Sequence, residues 1–198
     1  MSELKVNKVT PRSGTTITLG DSGDTITIPS GATITNSGTA TGFGGITEAD
    51  SWRTNTNATF SNAGSSFVTT NWERVDTDGF DKIGTGLSES SGVFSFPSTG
   101  YYYINHWSSI QTTASRTYLA MQLHTTLNNS SYTYATQNYG NTVSGTAFTN
   151  NSSAFIFKVT DISNYKFKFS VDRSETCILT GDSDTNATGF TCIKLAGV

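Results

Sequence analysis

A seven-residue stretch, Tyr101-Tyr102-Tyr103-Ile104-Asn105-His106-Trp107, restricts the folds open to this chain more than any other part of it. Successive side chains of a strand point to opposite faces. Tyr102 and Ile104 would then share one face, and Tyr101, Tyr103 and Trp107 the other. Both faces favour leaving water. A sheet in a two-layer sandwich presents only one face to its core, so the second aromatic face calls for a neighbouring subunit. Residues 165–171 behave differently. There Tyr165, Phe167, Phe169 and Val171 alternate with Lys166, Lys168 and Ser170, the pattern of a strand with one face in water, which predicts an outer sheet.

The rest of the head reads the same way. Glycine numbers 19 and proline 3, Thr, Ser and Asn fill most polar positions, and no long stretch has helical periodicity, a mix that favours strands joined by tight turns. Strands are predicted at 66–70, 72–76, 92–96, 101–110, 116–124, 132–136, 154–159, 165–171, 176–179 and 188–195. That spacing and number match an all-β jelly-roll sandwich.

Residues 13–45 form a separate, repetitive region. SGTTITLGD, SGDTITIPS, SGATITN and SGTATGFGG begin at Ser13, Ser22, Ser30 and Ser37. Each reads as a Ser-Gly turn and a short alternating strand, with Ile17 and Leu19, then Ile26 and Ile28, then Ile34 on one face and Thr on the other. Burying two or three such residues gains about 4–6 kcal/mol. Ordering the backbone of one unit costs about 8–16 kcal/mol, so an isolated copy should not hold its shape. Three copies wound around one axis would bury the isoleucines against each other, as in an intertwined β shaft. A flexible Thr/Gly linker is the competing reading. The predicted organisation is therefore a peptide at 1–12, a shaft or linker at 13–45 with a hinge at 41–45, and a β head at 46–198.

The segment FDKIGTGLSESSGVFSFPSTGYYYINHW carries a Gly-x-Phe-x-x-Pro-x-x-Gly-x-Tyr pattern in Gly92, Phe94, Pro97, Gly100 and Tyr102, with Phe96 and Ile104 also apolar. It resembles the central signature of C1q/TNF-like jelly-roll domains, in which this pattern joins two adjacent strands. The final NATGFTCIKLA is similar to that family's closing Phe-x-Gly-Phe strand through Gly189 and Phe190, with Ala187 in place of the first Phe. Pro97 and Gly100 are expected to make the turn, and Phe94, Phe96, Tyr102 and Ile104 a cross-strand apolar patch. The resemblance implies a homotrimer whose axis is lined by aromatic side chains, in agreement with the double-faced strand. The expected trimer interface is Ile17, Leu19, Ile26, Ile28, Ile34, Tyr101, Tyr103 and Trp107.

The N-terminal repeats resemble shaft-proximal segments of tail-fibre and appendage proteins of marine bacteriophages. The opening MSELKVNKVTPRSG lacks the apolar core of a secretory signal, and no apolar run is long enough to span a bilayer. Assembly in a host cytoplasm and residence in a virion are the expectation. The first dozen residues, with Leu4, Val6 and Val9 alternating, would be the attachment peptide that docks on other virion proteins by strand addition.

Charge argues against other partners. Charged residues make up 14% of the chain and the net charge is -3, so no basic field exists to bind nucleic acid or an anionic membrane. His106 and His124 lie on predicted core strands without a nucleophile elbow or a Cys-His-Asn context, so no catalytic residue is expected. Cys177 and Cys192 lack zinc-ligand spacing and read as small buried hydrophobes. Acidic residues gather at Asp76, Asp78 and Asp81 and at Asp182, Asp184 and Asn186. The second group begins like a calcium loop but has Ala187 and Ile193 where an EF-hand needs Gly and Glu. No cofactor or metal is expected, and a loose calcium site between loops is the one alternative to plain Asx-rich turns.

Residues 128–153, NNSSYTYATQNYGNTVSGTAFTNNSS, carry no charge. Rigid aromatic plates beside amides suit a sugar or neutral polymer, which nominates Asn129, Tyr132, Tyr134, Gln137, Asn138, Tyr139 and Asn141 as a ligand-binding loop. The reading as a whole is a non-enzymatic phage virion protein, a trimeric tail-fibre or appendage whose head binds a host-surface glycan or protein. A capsid decoration or cement trimer is the alternative within structural proteins, and a secreted lectin-like binding module the alternative of another class.

Overall fold

The computed structural model describes residues 8–35, 45–77 and 79–198. The chain divides into two units, Met1–Phe43 and Gly44–Val198. Leu4, Val6, Asp78 and most of the predicted hinge lie outside the described residues.

In a single copy, residues 8–35 form turns and extended chain but no strand. The Ser-Gly turns at Ser22 and Ser30 do form. Asp24 donates its amide N–H to the Asp21 carbonyl (3.0 Å) and Ala32 to that of Pro29 (3.1 Å), with Gly23 and Gly31 at φ 98° and 85°, where a type II turn requires glycine. Between the turns a single copy supplies no partner strand for the backbone. Val9, Ile17, Leu19, Ile26, Ile28 and Ile34 are all exposed.

The second unit is all strand and loop. Its elements are β1 (Ala49–Thr54), β2 (Thr56–Phe60), β3 (Gly64–Phe67), β4 (Trp72–Arg74), β5 (Ser88–Ser90), β6 (Val93–Ser95) and β7 (Gly100–Thr112). There follow β8 (Arg116–Thr126), β9 (Thr133–Gln137), β10 (Gly140–Thr142), β11 (Ala147–Val159), β12 (Lys166–Arg173), β13 (Cys177–Asp182) and β14 (Gly189–Ala196). One sheet runs β2-β13-β7-β14-β1-β4 with β11 on β7, the other β10-β8-β12-β6-β5 with β3 on β12 and β9 on β8. All pairings are antiparallel. In the first sheet β11 follows one whole edge of β7, from Val159↔Gly100 to Ala147↔Thr112. The opposite edge is divided between β14, beside Tyr101–Trp107, and β13, beside Ile110 and Gln111.

The predicted alternation places the core. β7 turns Tyr102, Ile104, His106 and Ile110 inward, and β12 turns Phe167, Phe169 and Val171 inward to meet them. Phe94 sits at the centre, stacked on Phe167 at 5.1 Å and edge-on to Phe190 at 4.7 Å, to Trp72 at 5.2 Å and to Trp52 at 5.4 Å. Each such ring removed from water contributes about 1.5–3 kcal/mol, with about 0.5–1.5 kcal/mol more from edge-to-face geometry.

The structure corrects several expectations. Phe94, Phe96, Tyr102 and Ile104 do share one core, but Phe94 lies on β6 in the second sheet and Tyr102 on β7 in the first. The Pro97–Gly100 segment is thus a crossover between sheets and not a hairpin, and the patch forms across the sandwich, with Phe96 and Tyr102 rings 4.5 Å apart. Tyr102 fixes the crossover by donating its hydroxyl to the Ser98 carbonyl (2.9 Å). β1, β2, β5 and β10 were not foreseen; β9 falls where a strand was predicted at 132–136, and the rest of 128–153 contains β10 and the first half of β11. His106 faces the core as expected, whereas His124 faces away from it, packed beneath Tyr134.

Candidate functional site

The outward face of the β8/β12 sheet carries a connected array of aromatic and polar side chains. β12 points Lys168, Ser170 and Asp172 outward, and the register sets them beside His124, Gln122 and Ala120 of β8. On the other side Ser170 and Asp172 meet Phe67 and Ser65 of β3. β9 places Tyr134 beside His124 and Gln137 beside Gln122, with a bulge between them.

At one end Lys168 is enclosed by two rings, its Nζ 3.5 Å from the Phe67 centroid and 3.9 Å from that of Tyr132. Burial lowers its pKa and, in the same way, raises that of Tyr132. His124 lies against Tyr134 at 4.6 Å and Phe67 at 5.0 Å. Burial, followed by the Lys168 charge, lowers its pKa to about 4, so the ring is neutral at pH 7.

From His124 a hydrogen-bond chain runs across the sheet. His124 Nε2 is 2.8 Å from Ser170 Oγ, and Ser170 donates to Gln122 Oε1 at 2.9 Å while accepting from Ser65 at 3.1 Å. Ser170 is fully buried.

Gln122 turns its amide to Gln137 Oε1 (3.2 Å) and Asp172 Oδ2 (3.3 Å), and Tyr139 donates to the same Asp172 oxygen at 3.0 Å. Partial burial, with the Asp172 carboxylate, raises the Tyr139 pKa. Tyr118 meets Tyr139 edge-on at 5.8 Å. Tyr118, Tyr139 and Asp172 line an open groove of about 390 Å³. A second cavity, beside Gly86 and Tyr102, holds only about 10 Å³, room for a single water.

Of the residues nominated from sequence, Tyr132, Tyr134, Gln137 and Tyr139 come together on this face. Asn138 instead donates to the Ser152 carbonyl of β11, Asn129 sits at φ 55° with its amide on the Asn164 carbonyl, and Asn141 is exposed without a side-chain partner among the described residues. Phe67, Tyr118, Gln122, His124, Lys168 and Asp172 went unnominated. The outward period of β12, already visible at 166, 168 and 170, was the available signal for Asp172.

The opposite sheet presents a second surface. β7 turns Tyr101, Tyr103 and Trp107 outward, half-buried, and Tyr103 is flanked by Ile156 of β11 and Ile193 of β14. Ile156 is 56% exposed and Phe148, farther along β11, is 55% exposed. Lys158 lies over the Tyr101 ring at 5.6 Å, and Trp107 donates its indole N–H to the Asn186 carbonyl (2.8 Å) of its own chain. In the acidic turn beyond, Asp182 Oδ1 accepts from the amides of Asp184 (2.7 Å) and Thr185 (2.9 Å), and these bonds lower its pKa. Among the described residues no cluster of three or more metal-ligating side chains forms. Cys177 and Cys192 are free and buried, and burial pushes the Cys177 thiol up to about 11.

The chain is similar in structure to murine APRIL, with a TM-score of 0.54 at 11% identity, over 75% of this chain and 98% of that one. It is also similar to the Eiger TNF of S. frugiperda, with a TM-score of 0.51 at 13% identity, over 76% of this chain and 93% of that one. The head therefore has a TNF-like jelly-roll fold. No family model and no curated protein matches the sequence.

Proposed function

We propose that this chain is a non-enzymatic virion appendage, a homotrimer whose TNF-like head binds a glycan or protein on a host surface. The observation that carries the reading is the opposition of two unlike exposed faces on one sandwich. Tyr103, Ile156 and Ile193 form an apolar strip on one sheet, suited to burial against another copy. The aromatic and amide array of β8, β9 and β12 stands on the other sheet, free to meet a ligand. The trimer implied by the C1q/TNF-like signature would use the first face and display the second three times.

The virion assignment draws on the phage-like N-terminal repeats. Their exposed isoleucines in a single copy support a shaft that is ordered only when copies join. Leu4, Val6 and Val9 are proposed as the attachment peptide. Light scattering on the full-length protein tests the reading, with a mass of three chains expected. A stable, folded single chain at micromolar concentration overturns it.

A further inference from the structure

The geometry points to the Tyr118, Tyr139 and Asp172 groove as a subsite for one neutral hexopyranose, an inference that rests on the reading of this face as the ligand-binding one. Three observations converge. The groove, at about 390 Å³, is open and bounded by these three side chains, a shape that receives one sugar ring against its wall. Two tyrosine rings set edge to face at 5.8 Å give one ring free to stack on the C–H face of a sugar and a second to bound it. Tyr139 is 52% exposed, so its ring is open to a ligand.

Asp172 decides the chemistry. No Lys or Arg nitrogen among the described residues lies within ion-pair distance of it. Its Oδ2 is occupied by Tyr139 and Gln122, which leaves Oδ1 facing no partner among the described residues. A carboxylate held this way accepts hydrogen bonds from sugar hydroxyls. It repels uronic and sialic acids, whose negative charge would enter a groove without a counter-ion. An ammonium ligand would gain the carboxylate but leave amides such as Gln137 unmatched, whereas hydroxyls both donate and accept. One anion beside amides favours an uncharged, hydroxyl-rich ligand.

A single open subsite binds weakly, with Kd about 1 mM, the lower end of specific affinity. Three copies on one trimer raise avidity by about 10²–10⁴ on a surface that repeats the sugar. Selection of the host would then depend on the spacing of the sugars as well as on their identity.

The test titrates the full-length protein, followed by NMR, with methyl glucoside, methyl galactoside, methyl mannoside, glucuronate, N-acetylneuraminate and choline. At least one neutral methyl glycoside should bind. Asp172→Ala and Tyr139→Ala should each weaken it about tenfold or more, with sheet content and particle mass unchanged. Asp172→Asn should weaken the neutral glycoside and admit glucuronate, a gain that general damage to the face would not produce. Binding of choline alone, of no neutral glycoside, or equally to wild type and Asp172→Ala overturns the subsite. These outcomes are read separately from the mass. A trimer that fails them loses the subsite and keeps the appendage reading, and a single chain removes the appendage reading itself.

Discussion

Arg74 clasps the buried carboxylate of Asp50 side-on, its Nε 3.0 Å from Oδ1 and its Nη2 3.1 Å from Oδ2, while its guanidinium lies 4.7 Å over the Trp52 ring. The same carboxylate accepts from Trp52 Nε1 (3.0 Å) and from the backbone amides of Ser51 (3.0 Å) and Leu87 (2.8 Å). It thereby ties β1, β4 and the chain entering β5 into one corner of the sandwich. Asp50→Ala takes the carboxylate from a buried indole N–H, two backbone amides and an arginine at once. Arg74 keeps 34% of its side chain exposed and can rehydrate, so the loss comes mainly from the buried donors left unpaired, about 1–3 kcal/mol each. The urea midpoint should fall accordingly with an unchanged slope, and a change below about 1 kcal/mol would show the corner to be dispensable.

His106 gives the fold an acid limit. Burial lowers its pKa from 6.5 to about 4, and its Nδ1 has no hydrogen-bond partner. The folded protein therefore takes up this proton less readily than the unfolded chain. The neutral ring's contribution is complete above about pH 6.5 and is withdrawn as pH falls towards 4. Full withdrawal amounts to about 3 kcal/mol at about 1.4 kcal/mol per pH unit. Denaturant midpoints measured at pH 7, 5.5 and 4 should decline, and His106→Leu should reduce the decline. An identical decline in the variant removes His106 as its source. His124, lowered in the same direction by burial and then by Lys168, adds to the effect.

Gly92 opens the Gly-x-Phe-x-x-Pro signature for a backbone reason. Its φ is 79°, and a Cβ there would come within 2.2 Å of the Val68 carbonyl oxygen. Gly92→Ala adds a left-handed backbone cost of about 1–2 kcal/mol to that clash. Thermal unfolding should shift down by at least about 2 °C for a domain of this size. An unshifted transition would mean the turn relaxes around the methyl.

How much of this was legible in sequence depended on whether the signal was periodic. The inward set of β12 and both faces of β7 could be read from alternation, because period-two burial leaves a mark on every second residue. β1 could not. Its ADSWRT segment buries Asp50 and Arg53 beside Trp52, and its charges are paid for by partners distant in the chain, Arg74 and Glu73. The outward face of the β8/β12 sheet was half legible for a similar reason. Tyr132, Tyr134, Gln137 and Tyr139 lie together in sequence, whereas Phe67, Tyr118 and Asp172 join them only through strand register. In the N-terminal repeats, Thr/Ile alternation states a preference that a single copy has no neighbour to satisfy.

Lys168 is the clearest case of a charge held by rings, 3.5 Å from Phe67 and 3.9 Å from Tyr132. Lys168→Gln keeps much of the length and hydrogen-bonding capacity but removes the cation. With cation–π contacts at about 0.5–2 kcal/mol, the expected loss is about 1–2 kcal/mol of stability. Tyr132 should also become more mobile, seen as faster amide exchange in the neighbouring 127–131 segment. Unaltered exchange with unaltered stability would show that the rings pack without help from the charge.

The apolar strip makes the sharpest demand on assembly. Tyr103 stands between Ile156 and Ile193 on adjacent strands, so a charge at its centre must either stay in water or be buried unpaired. Burying it would cost several kcal/mol per copy, and the symmetry of a trimer would repeat that cost at each interface. Tyr103→Asp and Ile156→Asp point outward and leave the Phe94 core untouched. Each should yield a folded single chain by light scattering, with β-sheet circular dichroism preserved. If assembly instead rests on the N-terminal repeats, these variants remain trimeric, and Ile26→Asp with Ile28→Asp dissociates them. Should neither pair lower the mass of a wild-type trimer, both proposed interfaces are wrong.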